Sequence, residues 1–304
     1  MTGANPPRRV ILLVNPTSGG GRGGRNAPIA VQRLTERGIE VVEATGTSAE
    51  ASSAMARAEL AEGNVDAVIA CGGDGTVNLA VQLVAGTQIP LGIIPVGTGD
   101  DNARTLDIPL NDVAAAADVI AAGHVRELDL GHVEAAGGEA RWFLGVMSSG
   151  FDSLVNERAN RMRWPGGKAR YLLAIVAELS VFRPLPYTVE IDGVHHDGVA
   201  MLVAVGNGVS YGGGMKVCPS AVPDDGELSL TFLGRVSKPT FLKVFPKVFS
   251  GTHTSHPAVT EHTGKTIRLD APDQVAYADG ERVGALPVTV EVRPAALRAF
   301  VPSA

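Results

Sequence analysis

Ala67-Val68-Ile69-Ala70-Cys71-Gly72-Gly73-Asp74-Gly75-Thr76-Val77 is the stretch on which the fold turns. An apolar run of strand length stops at a glycine pair, takes one carboxylate and opens into a helical pattern at Val77. Outward from it, Val10 to Val14, Ile39 to Ala44 and Leu91 to Ile94 read as further short buried strands, and Ala27 to Arg37 and Ala49 to Glu62 as helices between them. Apolar strands alternating with helices predict a parallel sheet covered on both faces. Ligands of such sheets bind beyond the carboxyl ends of the strands. Three of the four strands run into polar, glycine-rich loops there: Asn15-Pro16-Thr17-Ser18-Gly19-Gly20-Gly21, Gly72-Gly73-Asp74-Gly75-Thr76, and Pro95-Val96-Gly97-Thr98-Gly99. Glycines let backbone N–H groups approach phosphate oxygens, and a helix N-terminus adds a favourable dipole. Asp74 inside such a loop would repel a bare phosphate, which points to a bridging cation.

The second half has a different texture. Strand-like alternation in Arg126 to Val133, Arg141 to Val146, Tyr187 to Ile191, Val199 to Val205, Leu228 to Leu233, Thr266 to Leu269 and Val288 to Val292 is separated by Gly, Pro and Asp turns. That pattern predicts an antiparallel β-sandwich. Helices are expected within it at Lys168 to Phe182 and Lys238 to Ser250. A chain of 304 residues exceeds the size at which one core keeps growing, so two domains are expected. We place them at residues 1–128 and 129–293, with the chain end, 294–304, returning to the first.

Composition excludes several function classes. A formal charge of −6 argues against a nucleic-acid surface. Cys71 and Cys218 have no partner at disulfide or zinc-ligand spacing. No apolar run approaches the ~20 residues that span a bilayer; the longest, Tyr171 to Phe182, is interrupted by Glu178. Arg8-Arg9 before Val10 to Val14 is too short for a signal peptide, so a cytoplasmic protein is expected, with any membrane contact peripheral. No dinucleotide G-x-G-x-x-G or Walker A sequence is present. Gly208-Val209-Ser210-Tyr211-Gly212 spells a nucleophile elbow, but Gly213, Gly214 and Pro219 leave no room for the helix an elbow requires.

In order along the chain, Asn15-Pro16 with its glycines, Gly72 to Thr76, Gly97-Thr98-Gly99-Asp100-Asp101, Pro223-Asp224-Asp225-Gly226 and Asp279-Gly280-Glu281 resemble the diacylglycerol kinase catalytic family, which includes sphingosine and ceramide kinases and bacterial soluble lipid kinases. The likeness covers essentially the whole chain. The Gly-Gly-Asp-Gly element alone is shared with NAD kinases and phosphofructokinases. The resemblance implies an NAD-kinase-like and diacylglycerol-kinase-like α/β domain, a β-sandwich domain, a site between them, ATP as phosphate donor, catalytic and structural Mg²⁺, and a lipid acceptor at the membrane surface. A homodimer is compatible with it.

It also implies residue roles. Asn15, Pro16, Thr17, Ser18, Gly19, Thr45, Gly72, Gly73, Asp74, Gly75, Thr76, Asn78 and Thr98 would line the nucleotide. Asp74, Asp101 and Asp129 would hold catalytic Mg²⁺ through waters, since Mg²⁺ dehydrates reluctantly. Asp279 would be the general base, with Glu281 beside it. Asp225 and the carbonyls of Val222 and Glu227 would hold structural Mg²⁺. Without the resemblance, Asp279-Gly280 reads as a hairpin turn. Where the family pattern has Gly-Thr-Gly-Asn-Asp-Phe-Ala-Arg, Asp100 replaces the Asn and Asn102 the Phe, which places an additional carboxylate near the phosphates. Phe241, Val244, Phe245, Val248 and Phe249, interleaved with Lys238, Lys243 and Lys247, suit either an interfacial helix or one packed on the sandwich, and Tyr171 to Phe182 and Gly206 to Gly214 are equal candidates for walls of an acyl-chain pocket. A soluble-metabolite kinase and a non-catalytic lipid or nucleotide sensor remain as alternatives to a lipid kinase.

Overall fold

The computed structural model describes residues 5–16, 18–135, 138–162, 173–174, 177–178 and 182–303. Strands β1 (Arg9–Val14), β2 (Glu40–Thr45), β3 (Ala67–Gly72) and β4 (Leu91–Pro95) pair in parallel in the order β2-β1-β3-β4. Their apolar runs are almost wholly buried in β1, β3 and β4, as a sheet covered on both faces requires. Helices α1 (Ser18–Glu36) and α5 (Val113–Ala122) pack together against β3 and β4, whereas α2 (Ala49–Ala61) and α3 (Asp74–Val84) pack together against β1 to β3. The chain winds outward from β1 to β2, then crosses back to place β3 on the other side of β1. This reversal makes the carboxyl ends of β1 and β3 a topological switch point, where a crevice opens between diverging loops.

The rest is antiparallel, with its own core around Val133, Phe143, Met147, Val203, Leu230, Ile267 and Val290. One strand belongs to both parts. Strand β16 (Val288–Phe300) pairs antiparallel with β13 (Thr266–Asp270) over its first half, and its second half joins β4 in parallel at Ala299 opposite Leu91. Along its whole length it also pairs with β5 (Val125–Ala135), with a register shift between Arg293 and Leu297. Asp129 secures that shift. Its Oδ1 accepts the Ala295 N–H (2.9 Å) and its Oδ2 the Gly226 N–H (2.7 Å), while its own N–H donates to the Pro223 carbonyl (2.7 Å). Ala295 holds φ 51°, a left-handed conformation that costs a non-glycine residue energy and is retained through this carboxylate contact.

Several elements differ from the sequence reading. The segment Arg141 to Val146 is not one strand but two, β6 (Arg141–Phe143) and β7 (Val146–Gly150), because the Leu144 and Gly145 amides turn toward a carboxylate at the interface. Helix α1 begins at Ser18 and absorbs the glycine–arginine stretch, with Gly20 and Gly21 at positive φ in its first turns. Helix α6 (Phe151–Arg161) and strand β12 (Val259–Gly264) carry too little apolar periodicity to be read from sequence. Lys238 to Ser250 splits into α7 (Lys238–Val244) and a 3₁₀ turn, Phe245–Ser250, where Pro246 removes an amide donor. The helix expected at Lys168 to Phe182 lies largely outside the described residues; residues 173–174 and 177–178 are helical.

Asp129 is 4% exposed, so Asp129→Ala takes the charged acceptor away from two part-buried hydrogen bonds, those of the Gly226 and Ala295 amides. Hydrogen bonds to charged groups contribute ~1.5–3 kcal/mol each. Urea unfolding without added metal should show a loss of roughly 3 kcal/mol.

Candidate active site

The loop after β3 closes tightly. A Cβ on Gly72 would lie 2.1 Å from Thr76 Oγ1, so only glycine lets the strand pass beneath the first turn of α3. Gly73 is the N-cap of α3 and has no side chain to close the helix end. The Thr76 N–H turns back to the Gly73 carbonyl (2.9 Å), and the helix end before it carries the dipole's positive end. Asp74 stands in that turn. Its Oδ1 accepts the Asn102 N–H (3.0 Å), and its Oδ2 lies 2.8 Å from where a Cβ on Gly99 would sit. Asp101 Oδ2 lies 3.3 Å from the same point, so the two carboxylates flank Gly99.

Asp101 also reaches across to the second half of the chain. Its Oδ1 accepts the Gly214 N–H (2.7 Å) and the Ser210 hydroxyl (3.1 Å), and its Oδ2 accepts the Gly213 N–H (2.6 Å). Asp100 holds φ 55° and accepts the Gly97 N–H (2.9 Å). Burial, reinforced by the charge of Asp74, pushes its carboxyl up to about 6, against the opposing pull of the Gly97 amide, Arg22 and Arg104. Burial also raises the Asp74 carboxyl, and the charge of Asp101 adds to it. The loops thus hold more negative charge than their own cations balance, and their donors are hard oxygens. That is the character of a site for Mg²⁺ and phosphate.

Asp279 closes the opposite wall. It sits at the tip of the hairpin formed by β14 (Val275–Ala278) and β15 (Glu281–Ala285), at φ 49° ahead of Gly280 at φ 83°, the backbone of a type I′ turn. Its carboxylate accepts N–H bonds from Leu144 (3.0 Å), Gly145 (3.0 Å) and Val146 (3.2 Å). Burial pushes this carboxyl up to about 6 and the charge of Asp74 adds to it, while the Leu144 and Gly145 amides and the Asn78 side chain pull it down. Glu281 is exposed, its Oε1 3.8 Å from where a Cβ on Gly75 would be. Helix α3 is fixed to this wall by Gln82, which donates to the Trp142 carbonyl (2.7 Å) and accepts the Trp142 N–H (3.1 Å).

The fold therefore brings Gly72 to Thr76, Asn78, Asp101, Asp279 and Glu281 around one crevice. Asn15 and Pro16 end β1 at its edge, where the Pro16 carbonyl accepts the Gly24 N–H (3.3 Å). Thr98 is exposed in the β4 loop, and Thr45 is exposed at the end of β2, paired with Val14. Thr17 and the side chain of Ser18 lie outside the described residues; the Gly19 backbone is helical. Asp129, expected with Asp74 and Asp101 at catalytic Mg²⁺, accepts the Gly226 and Ala295 amides on its carboxylate, at the Pro223–Gly226 turn and the β16 bulge. Asp225 is exposed beside it and its Oδ1 accepts the Glu227 N–H (3.0 Å); Val222 is exposed at the start of that turn. Among the described residues no three acidic, His or Cys side chains converge as a complete metal cage.

Sequence reading missed four contributors. Arg22, in α1, donates to the Gly97 carbonyl and counters the charge of Asp100. Ser210, Gly213 and Gly214 clamp Asp101. The signal for Arg22 was present, a basic residue directly after a glycine run. The clamp carried none, because it forms only when the two halves meet. Beside it lies an apolar cavity of about 60 Å³ walled by Phe151, Tyr211, Met215, Leu233, Phe241 and Val248.

Comparison with known proteins places this geometry. Residues 9–133 match the diacylglycerol kinase catalytic domain and residues 145–301 the YegS C-terminal NAD kinase beta sandwich-like domain. A diacylglycerol kinase of Mycobacterium tuberculosis is 43% identical over 97% of this chain and 95% of its own length. The chain belongs to the diacylglycerol kinase family. A member from Bacillus subtilis is 30% identical, covering 92% of both chains. A crystal structure of a diacylglycerol kinase from Bacillus anthracis superposes with a TM-score of 0.76 at 26% identity, covering 98% of each chain. Membership makes this chain a kinase with ATP as phosphate donor, and the carboxylate-rich crevice suits the divalent metal such enzymes usually employ.

Asp100 stands where the family pattern has Asn, and its carboxyl titrates near 6 rather than near 3.8. A raised folded-state value means that ionised Asp100 opposes folding above about pH 6 and is neutral in effect below about pH 4. Asn keeps an oxygen for the Gly97 amide. Asp100→Asn should therefore stabilise the protein by about 1 kcal/mol at neutral pH, measured by thermal unfolding, with the gain disappearing as the pH falls to 4.

Proposed function

We propose that this kinase transfers the γ-phosphate of ATP to the free hydroxyl of diacylglycerol, giving phosphatidic acid, with Mg²⁺ required and Asp279 as general base. The observation that carries the reading is the position of Asp279. It lies across the crevice from the Gly72 to Thr76 loop, close enough for Asp74 to shift its titration, and beyond the Gly213–Gly214 clamp is an apolar cavity rather than a polar one.

The first-turn amides of α3 and the glycines of the β4 loop hold phosphate oxygens. Arg22 and Arg104 add positive charge near Asp100. Asp74, with Asp101 across Gly99, would hold Mg²⁺ through waters, and that ion would neutralise charge developing on the phosphates. Asp101 does a second job in the same place, because its bonds to Gly213 and Gly214 fix the cavity's edge against the nucleotide loops. The acceptor hydroxyl approaches Asp279. As its oxygen bonds to the γ-phosphorus and the bond to the β-phosphate oxygen breaks, its proton passes to the Asp279 carboxylate and ADP leaves. Three backbone amides keep that carboxylate from rotating, and burial brings its titration toward neutral pH, where a base is most effective. Asn78 hydrogen-bonds the same carboxylate, and Glu281, near Gly75, would orient the acceptor.

Residues 1–128 with 294–304 serve in this reading as the nucleotide domain and 129–293 as the lipid domain. Asp225 with the Val222 and Glu227 carbonyls would hold a structural Mg²⁺ that stiffens the turn Asp129 anchors. The enzyme works at the membrane surface, and no helix among the described residues is long and apolar enough to cross a membrane.

Transfer of labelled γ-phosphate to diacylglycerol in mixed micelles with Mg²⁺ tests the reading. Asp279→Asn should lower kcat by roughly 10²-fold. In the wild type, kcat/KM should rise as the pH climbs through about 6, because the carboxylate form is the active one. Label entering NAD rather than any lipid would overturn the lipid acceptor.

A further inference from the structure

Two side chains from opposite halves of the chain converge at Gly145. A Cβ there would lie 2.6 Å from Asp279 Oδ1 and 3.3 Å from Asn102 Oδ1, so the approach of both depends on a residue without one. Asp279 comes from the sandwich hairpin, whereas Asn102 comes from the short helix Asp101–Thr105 that follows the β4 loop. Asn102 is 3% exposed and its backbone is held at both ends: its N–H donates to Asp74 Oδ1 (3.0 Å) and its carbonyl accepts the Leu106 N–H (3.3 Å). Its side chain has no hydrogen-bond partner among the described residues. A primary amide carries two N–H donors and one acceptor oxygen, and enclosing it unpartnered is unfavourable unless a ligand group meets it.

The surroundings decide which ligand group that is. Asp74, Asp100, Asp101 and Asp279 supply the other side chains of this part of the crevice, and ionised carboxylates only accept. Asn78, the other amide on this wall, is engaged with Asp279 and with the Trp142 carbonyl (3.4 Å). A ligand hydroxyl thus has carboxylates to donate to, while a ligand carbonyl oxygen is served at this point by the Asn102 N–H groups. The position along the crevice says where in the ligand that oxygen stands. Asp101, adjacent to Asn102, is gripped by the Gly213 and Gly214 amides, with the apolar cavity beyond them. An acceptor with its hydroxyl at Asp279 and its chains directed to the cavity carries the linkage between them past Asn102. In diacylglycerol that linkage is an ester. The family pattern has Phe at this position, and its ring offers no such donor.

We propose that Asn102 determines acceptor specificity: its side-chain N–H donates to the ester carbonyl nearest the reacting hydroxyl and so selects acyl-linked over ether-linked lipid. The contact rests on the lipid-kinase reading.

Transfer of labelled γ-phosphate to a diacylglycerol and to its dialkyl ether analogue of equal chain length, in mixed micelles with Mg²⁺, tests it. The ether lipid keeps the hydroxyl and the chains and lacks the carbonyl. Wild-type kcat/KM should favour the diacyl lipid by roughly tenfold, the effect of one neutral hydrogen bond. Asn102→Leu, close in size but without a donor, and Asn102→Phe should each bring that ratio near one, the loss falling on the diacyl lipid. General damage to the site lowers both rates in proportion and leaves the ratio standing. A wild type that uses both lipids equally, or a ratio that survives in both variants, overturns the contact and leaves the lipid-kinase reading intact. Absence of transfer to either lipid overturns that reading, and the contact with it.

Discussion

The last strand serves both halves of the chain, lying antiparallel to β13 over its first part and parallel to β4 near its end. Between those parts its register with β5 shifts from Arg293 to Leu297, and a buried carboxylate receives the Ala295 amide there. Asp129 is enclosed and bonded on both oxygens to backbone, so removing its side chain frees two separate segments at once, the Pro223–Gly226 turn and the β16 bulge. Everything in the crevice depends on the angle this junction sets. Phosphate loops come from one sheet and the proposed base from the other, and neither carries the site alone.

The same device recurs with graded success. Asp101 and Asp279, like Asp129, are taken out of water and met by several backbone N–H groups, which is the least costly way to hold a carboxylate in place. Asp74, Asp100 and Asp279 are nonetheless pushed upward, by burial first and then by a neighbouring carboxylate. Three backbone amides do not offset that at Asp279. A cluster raised in this way carries an electrostatic cost that a bound cation would relieve.

How much of this was legible in the sequence follows from the range of the interactions. The parallel sheet was readable because Val10 to Val14, Ala67 to Ala70 and Leu91 to Ile94 are apolar runs whose pattern needs no distant partner. The Gly72 to Thr76 loop was readable for the same reason, since its chemistry is contained in five consecutive residues. The break at Leu144-Gly145 was not, because what turns those amides is a carboxylate 134 residues further on. Nor was the role of Asp129, whose type suits a metal and whose position in the fold gives it two amides instead. Asp279-Gly280 is the intermediate case: the residue pair spells a I′ turn and the structure forms one, yet the two letters alone do not tell such a turn from the position proposed for the base.

The segment from Gly206 to Met215 then acquires a meaning that neither its G-x-S-x-G spelling nor its lack of regular structure suggests. Its backbone begins on the β6–β7 turn, where the Asn207 and Gly208 amides bond the Gly145 carbonyl whose own amide bonds Asp279. It continues past Tyr211, a wall of the apolar cavity, and then gives the Gly213 and Gly214 amides to Asp101. Gly212, Gly213 and Gly214 hold φ of 66°, 87° and 100°, a run that L-side chains do not adopt, and this lets the Gly213 and Gly214 amides reach a single carboxylate. The apolar cavity and the carboxylate-bearing loops of the crevice are thereby joined by one short stretch of backbone.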